Sequence, residues 1–200
     1  MARLGMVIDL KLCIGCYACV VSCKAENGTP PTVFWNRVLE NEEGKYPSAR
    51  RTFLPVLCNH CKEAACLKAC PTGATTQRED GIVLVDYDKC VGCRYCLISC
   101  PYQVRSYVGK ITGYFGESLT PYEEVSYQKH REGVVEKCNF CVERVDQGLE
   151  PSCVQVCPTG CRHFGDLDDP NSEVSRLLRL RYDFTLLPER GTEPCVHYLS

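Results

Sequence analysis

The chain has 200 residues and a formal charge of −2, enough for one domain or two small ones around a modest core. Eighteen residues are cysteine, and sixteen of them fall into four groups whose members, apart from one longer gap in the last, sit so close in sequence that they seldom meet disulfide geometry, which argues for metal ligation under thiol-reducing conditions and against a secreted disulfide scaffold. A four-thiolate iron–sulfur cluster adds about −2, so four would take the loaded protein to about −10 and set nucleic acid aside as a partner.

Met1 to Leu10 lacks the apolar core and small-residue cleavage site of an export signal, and no window approaches the roughly 18 uninterrupted apolar residues of a membrane span. Residues 3–10 predict a strand, with Met6 and Ile8 alternating with Val7 and Asp9. It leads into the first group, Cys13, Cys16, Cys19 and Cys23, with Gly15 between the first two cysteines, where a missing side chain lets the backbone come close to a cluster. Lys24 stands where a proline would end the run, so a helix over Cys16–Glu26 is expected to continue until Asn27-Gly28 and Pro30-Pro31 stop it. Residues 32–50 predict a surface hairpin carrying Phe34 and Trp35. Trp35 is read as packing on the first module, with a partner-facing role as the alternative.

A strand at Thr52–Leu57 enters the second group, Cys58, Cys61, Cys66 and Cys70, closed by Pro71-Thr72-Gly73. His60 lies inside this loop. Four cysteines already complete the set, so it is read as an imidazole outside the ligand shell. Asp80-Gly81 turns the chain into a short strand over residues 82–86 and the third group. That group, Cys90, Cys93, Cys96, Cys100 and Pro101, has the C-x2-C-x2-C-x3-C-P spacing of bacterial ferredoxins, in which three cysteines wrap one [4Fe–4S] cluster and the fourth serves another. Only residues 71–89 separate groups two and three, the spacing of a whole two-cluster ferredoxin. Exchange of fourth cysteines therefore places Cys58, Cys61, Cys66 and Cys100 on one cluster and Cys90, Cys93, Cys96 and Cys70 on another.

Residues 102–137 form a tyrosine-rich insertion, read as a cover that keeps water from a cluster, with a docking surface as the alternative. The fourth group, Cys138, Cys141, Cys153 and Cys157, is spread wider and taken alone also fits a structural zinc site. Its Cys157-Pro158-Thr159-Gly160 repeats Cys70-Pro71-Thr72-Gly73 and ties it to the ferredoxin pattern. By elimination, groups one and four make a second module nested around the first: Cys13, Cys16, Cys19 and Cys157 on one cluster, and Cys138, Cys141, Cys153 and Cys23 on the other. Cys161 and Cys195 are left over as small buried side chains, Cys161 close to a cluster. A helix capped by Ser172 or Asn171 follows, with Arg176, Arg179 and Arg181 as a solvated basic end.

The fold class is therefore α+β: an outer ferredoxin module (1–50 with 138–165), an inner one (51–101), the insertion (102–137) and a C-terminal tail (166–200). Lys11, Lys24, Lys62, Lys89 and Arg94 lie beside ligands, and one or two of them are expected to raise cluster potentials. No nucleophile–base arrangement, phosphate loop or open metal site stands out, which points to electron transfer rather than catalysis.

The four groups in this order, the two Cys-Pro-Thr-Gly closures, Gly5-Met6-Val7-Ile8-Asp9 and Phe164-Gly165-Asp166-Leu167-Asp168-Asp169-Pro170 together resemble the four-cluster iron–sulfur subunit of complex iron–sulfur molybdoenzymes. Relatives serve polysulfide, thiosulfate, tetrathionate, dimethyl sulfoxide and arsenate reductases and formate dehydrogenases. The resemblance implies a molybdopterin catalytic subunit as partner and usually an integral membrane quinone-binding subunit. It also implies a polarity: the cluster of Cys13, Cys16 and Cys19 is nearest the catalytic subunit, that of Cys90, Cys93 and Cys96 nearest the quinone. Some relatives replace a third-group cysteine and hold a [3Fe–4S] cluster; Cys93 is present here, so four [4Fe–4S] clusters are expected. A sulfur- or arsenic-compound reductase is the favoured complex, with a formate dehydrogenase or a free-standing polyferredoxin as alternatives. The expected place is the periplasmic face of the membrane, reached with a partner bearing a twin-arginine signal, the cytoplasmic face being the other option.

Overall fold

The computed structural model describes residues 2–116 and 118–200; Met1, in the expected outer module, and Glu117, in the insertion, lie outside the described residues. Strand β1 (Leu4–Asp9) is buried on both faces from Gly5 to Asp9, not on one as its alternation suggests. The reason is its place inside a four-stranded sheet of order β8-β1-β10-β9, between β8 (Arg162–Asp166, antiparallel) and β10 (Val196–Leu199, parallel), with β9 (Asp183–Phe184) at the edge. Met6 and Ile8 join the main core with Val196 and Tyr198, while Val7 and Leu199 pack on Val174 of α7 (Glu173–Leu180). The C-terminal tail thus adds two strands to the sheet that carries the N-terminus.

Ser172 caps α7, its hydroxyl accepting from the Ser175 N–H at 3.2 Å. Arg181 departs from the expected solvated end: its guanidinium forks onto the carboxylate of Asp9, which is almost fully buried and needs a counter-charge. That hydrogen bond holds the Asp9 carboxyl below its usual range against the opposing effect of burial.

Helix α1 (Ala18–Asn27) runs past Cys23 and ends at Gly28, whose φ of 63° is the left-handed conformation glycine adopts most readily. The excursion at 32–50 and the strand at 52–57 are two arms of one hairpin, β2 (Asn36–Glu43) on β3 (Arg50–Leu57), in register from Asn36 opposite Leu57 to Glu43 opposite Arg50. Trp35 faces inward, donating from Nε1 to Glu136 at 3.3 Å, so it belongs to the interior rather than to a partner interface.

In the inner module, α2 (Ala65–Lys68) precedes the β4 (Thr75–Gln77) and β5 (Val83–Val85) pair, and α3 (Tyr95–Ile98) follows. The insertion begins and ends in a second small pair, β6 (Arg105–Tyr107) with β7 (Val135–Lys137), and carries α4 (Pro121–Ser126) with a Thr120–Glu123 capping box. Its inner side lies across the end of α1: the Tyr122 hydroxyl donates to Ala25 O, Tyr114 to Thr29 O at 3.4 Å, and His130 Nε2 meets Asn27 O at 2.8 Å. Phe115 and Val125 face solvent on the other side. Two short helices, α5 (Val142–Val145) and α6 (Ser152–Gln155), complete the chain's return to the outer module.

Candidate metal centre

Four cavities open inside this fold, and each is walled by four of the sixteen grouped cysteines. Cavity I has Cys13, Cys16, Cys19 and Cys157; cavity II has Cys23, Cys138, Cys141 and Cys153. Cavity III has Cys58, Cys61, Cys66 and Cys100; cavity IV has Cys70, Cys90, Cys93 and Cys96. Every quartet expected from the sequence is thus brought together, including both pairs that draw on opposite ends of the chain. The spaces are alike in size, as four copies of one guest require.

Local geometry explains the spacing. The first two cysteines of groups one and three lie on a loop passing through left-handed residues, Gly15 and Tyr17 in one and Gly92 and Arg94 in the other, and the third, Cys19 or Cys96, stands in the first turn of the helix that follows, α1 or α3. The protein itself also needs these glycines: a Cβ at Gly15 would stand 2.3 Å from the Phe53 ring, and one at Gly92 2.0 Å from the Gly133 carbonyl oxygen. Gly92→Ala is therefore expected to distort the loop of Cys90 and Cys93 and deplete cavity IV alone, seen as loss of one cluster signal in electron paramagnetic resonance with three retained. The Cys-Pro-Thr-Gly closures have a shared purpose as well. Thr72 and Thr159 bring their hydroxyls within 3.8 and 3.7 Å of Cys70 and Cys157 Sγ, and the backbone N–H groups of Thr75 and Cys161 donate to the same sulfurs at 3.4 and 3.3 Å. Burial works to raise the Cys70 thiol, but these donors outweigh it and bring its pKa down to about 7. Burial instead dominates at Cys61 and Cys153, pushed up to about 12 and about 11.

Two observations test what the cavities suit. Among the described residues no three Cys, His, Asp or Glu side chains converge as a single ion requires, and a tetrahedral zinc would hold its sulfurs about 3.8 Å apart. The zinc reading of the fourth group therefore finds no support in the geometry. Second, Arg105 lies on the wall of cavity III, only 6% exposed, and none of its three guanidinium nitrogens finds a protein partner among the described residues. A buried, permanently charged donor with no carboxylate calls for an anion in the cavity beside it, and a thiolate-bound cluster is one.

Shared side chains fix the order of the cavities. Arg162, almost fully enclosed, donates from Nη2 to Cys19 Sγ of cavity I at 3.4 Å and from Nη1 to Cys153 Sγ of cavity II at 3.7 Å. The rings of His60 and Phe140, one from the Cys58–Cys61 loop and one from the Cys138–Cys141 loop, stack 3.7 Å apart and join cavities II and III. Arg105 lies beside Cys66 and Cys58 of cavity III and Cys96 of cavity IV. The spatial order is therefore I, II, III, IV. His60 is outside the cavity walls, its Nδ1 accepting from the Val83 N–H at 3.0 Å; burial and the nearby Lys137 and Arg105 hold its pKa well below the ordinary value. Cys161 lines cavity I, 3.4 Å from Cys157 Sγ, and Cys195 is buried where its N–H donates to Asn59 O.

Most cations singled out in the sequence are engaged elsewhere. Lys62 pairs with Glu193 and Lys89 with Asp86 at the surface, Arg94 stacks over Tyr107, and Lys24 donates to the carbonyls of Pro30 and Val33. Sequence reasoning missed Arg105 and Arg162. Their signal was present: each stands five residues after the last cysteine of its group, Cys100 and Cys157.

Family comparison agrees with the cysteine pattern. The family described as "4Fe-4S dicluster domain" matches residues 49–114 and 115–167, and "4Fe-4S binding domain" matches residues 10–27. The chain is 40% identical to the arsenate respiratory reductase iron–sulfur subunit of Shewanella sp., over 98% of this chain and 96% of that one. It is 40% identical to a sulfite dehydrogenase subunit of Allochromatium vinosum (100% and 83%), and 41% identical to a tetrathionate reductase subunit of Salmonella typhimurium (99% and 72%).

Proposed function

The chain belongs to the 4Fe-4S dicluster iron–sulfur subunits of dimethyl sulfoxide-, arsenate- and tetrathionate-reductase-type molybdoenzymes, and from that premise we propose that it relays single electrons between a molybdopterin catalytic subunit docked at cavity I and a quinone-reactive membrane subunit docked at cavity IV. Its role is electron transfer, and substrate chemistry takes place on the partner. The cofactors are [4Fe–4S] clusters, which when bound take up and release one electron each at potentials set by charge, hydrogen bonding and burial. We assign Cys13, Cys16, Cys19 and Cys157 to the first; Cys23, Cys138, Cys141 and Cys153 to the second; Cys58, Cys61, Cys66 and Cys100 to the third; and Cys70, Cys90, Cys93 and Cys96 to the fourth. The outer module is then 1–50 with 138–165, and the inner one 51–101.

The observation that carries the reading is exposure. Of the sixteen cysteines only Cys16 and Cys93 are exposed, one in each terminal cavity, whereas all four of cavity II are buried. Exposed Ile14 lines the first cavity and exposed Val91 the last, and further exposed apolar side chains stand close by in the chain, Leu12 and Val21 at one end and Tyr95 and Ile98 at the other, surfaces suited to being covered by other subunits. Cavity II shuts water out from the charge that passes, and cavity III keeps Cys58 and Cys100 buried. Among the described residues no helix is long and apolar enough to cross a membrane. Attachment through the partner at cavity IV, and a place on the periplasmic face reached with a partner bearing a twin-arginine signal, are parts of the same proposal. Sulfur or arsenic compounds are the proposed substrates of the complex, by analogy with the arsenate, sulfite and tetrathionate named for its relatives.

The test is copurification from the native source under anaerobic conditions. The expected result is a brown complex containing a molybdopterin subunit, with about sixteen iron atoms attributable to this chain. A colourless chain recovered alone, or one with far fewer irons, overturns the reading.

A further inference from the structure

Two of the most deeply buried charges in the protein stand at equivalent positions. Arg162 and Arg105 each sit five residues after the closing cysteine of their group, each at the start of a strand (β8 and β6), and each between the two cavities of one module. Arg162 reaches Cys19 and Cys153 with separate nitrogens; its remaining contacts are Asn36 Oδ1 at 3.2 Å and Met6 Sδ at 3.6 Å, and Nε has no partner among the described residues. Arg105 has no oxygen or nitrogen acceptor among them, and its nearest anionic neighbours are the sulfurs of Cys66, Cys58 and Cys96. Lys137, the third buried cation in this region, differs: its ammonium is taken up by the carbonyls of Val83 and Cys138. Neither arginine faces a carboxylate, so the thiolates and whatever they enclose are the anions that balance them.

We propose that Arg162 and Arg105 are tuning residues, each shared by the two clusters of one module, which raise both potentials of that pair and make them move together. This deepens the reading above and rests on it. Reduction adds one electron to a cavity, taking it from about −2 to about −3 with its four thiolates, with no bond made or broken and no proton required. A fixed guanidinium in contact with the thiolates favours the more negative state in both neighbours. It also gives a continuous hydrogen-bonded bridge from sulfur to sulfur between cavities I and II.

The experiment is a potentiometric titration of the anaerobically purified complex with dithionite as reductant, followed by electron paramagnetic resonance, in the wild type and in Arg162→Gln and Arg105→Gln. Arg162→Gln is expected to lower two of the four midpoint potentials and leave the other two in place; Arg105→Gln is expected to lower the complementary pair. At a fixed poise each affected cluster should show a roughly tenfold smaller reduced-to-oxidised ratio, about 59 mV for a one-electron couple. Four intact signals with no shift, a shift in one cluster only, or an equal shift in all four overturns the proposal. Arg162→Lys and Arg105→Lys keep the charge on a single nitrogen that serves one cavity, so one potential of the pair should fall and the other stay; two unchanged potentials overturn it. If a variant loses metal, joint loss of two clusters, about eight irons, supports sharing, and loss of one or of all four contradicts it. A wild-type complex lacking four clusters would instead defeat the underlying reading, so the two failures are distinguishable.

Discussion

Cys93→Ser is expected to suppress quinol-driven turnover of the assembled complex by more than the roughly 10- to 100-fold that loss of a supporting contact around a metal costs, while turnover driven by a reduced viologen feeding the catalytic subunit directly keeps most of its rate. Cys93 is the exposed cysteine of cavity IV, the last in the row. A serine oxygen in its place weakens or removes one corner of that cluster without touching cavities I to III, which share none of its walls except through Arg105. The link to quinol is therefore cut at its far end, and the path near the catalytic subunit stays whole. Iron should fall by at most about four atoms per chain. Equal loss of both activities in a complex that retains its other clusters would reverse the proposed polarity and put the catalytic subunit at cavity IV.

Glu136→Gln is expected to destabilise the insertion and the wall of cavity II by about 3–5 kcal/mol, the usual cost of breaking a buried ion pair. Both oxygens of Glu136 lie 2.8 and 2.9 Å from His130 Nδ1, and His130 Nε2 faces Asn27 O, so both ring nitrogens meet acceptors and the imidazole carries both protons. The Asn27 side chain in turn donates to the Cys23 carbonyl at 2.9 Å, and Trp35 donates to Glu136. Burial opposes the charged imidazole, but the Glu136 carboxylate outweighs it and raises the His130 pKa above the ordinary 6.5. The pair's contribution is thus full below about pH 6.5 and is lost as pH rises through the elevated folded value. Unfolding releases clusters irreversibly, so the measurement is the rate at which the brown colour bleaches in denaturant. Wild-type bleaching should accelerate as pH rises from 6 through 9. The Gln variant should bleach faster throughout, tenfold for each 1.4 kcal/mol or so that falls on the unfolding barrier, and with a flatter pH profile. An unchanged profile would mean that His130 is neutral in the wild type.

The cysteine spacing was a strong guide because a cluster dictates its own ligand geometry: three sulfurs on one tight loop and a fourth from elsewhere. The continuation of α1 past Cys23 and the capped helix start at Ser172 or Asn171 are likewise local matters, decided by the residues on either side, and both could be read directly. The burial of β1 on both faces could not, because its neighbours β8 and β10 arrive from residues 162–166 and 196–199 and only their pairing shows that the strand is central. Arg181 was misread for the same reason: its partner Asp9 is 172 residues away.

By itself, then, the sequence led to a division of sixteen thiols into four quartets, the same sets that wall the four cavities, since ligand number and loop reach leave few arrangements. The tertiary structure alone decided the order of the four cavities, which two cysteines reach the surface, and that two buried guanidiniums stand between neighbouring quartets. Those are properties of how separate loops lie against one another, and a charge is buried or balanced only by what folding places around it.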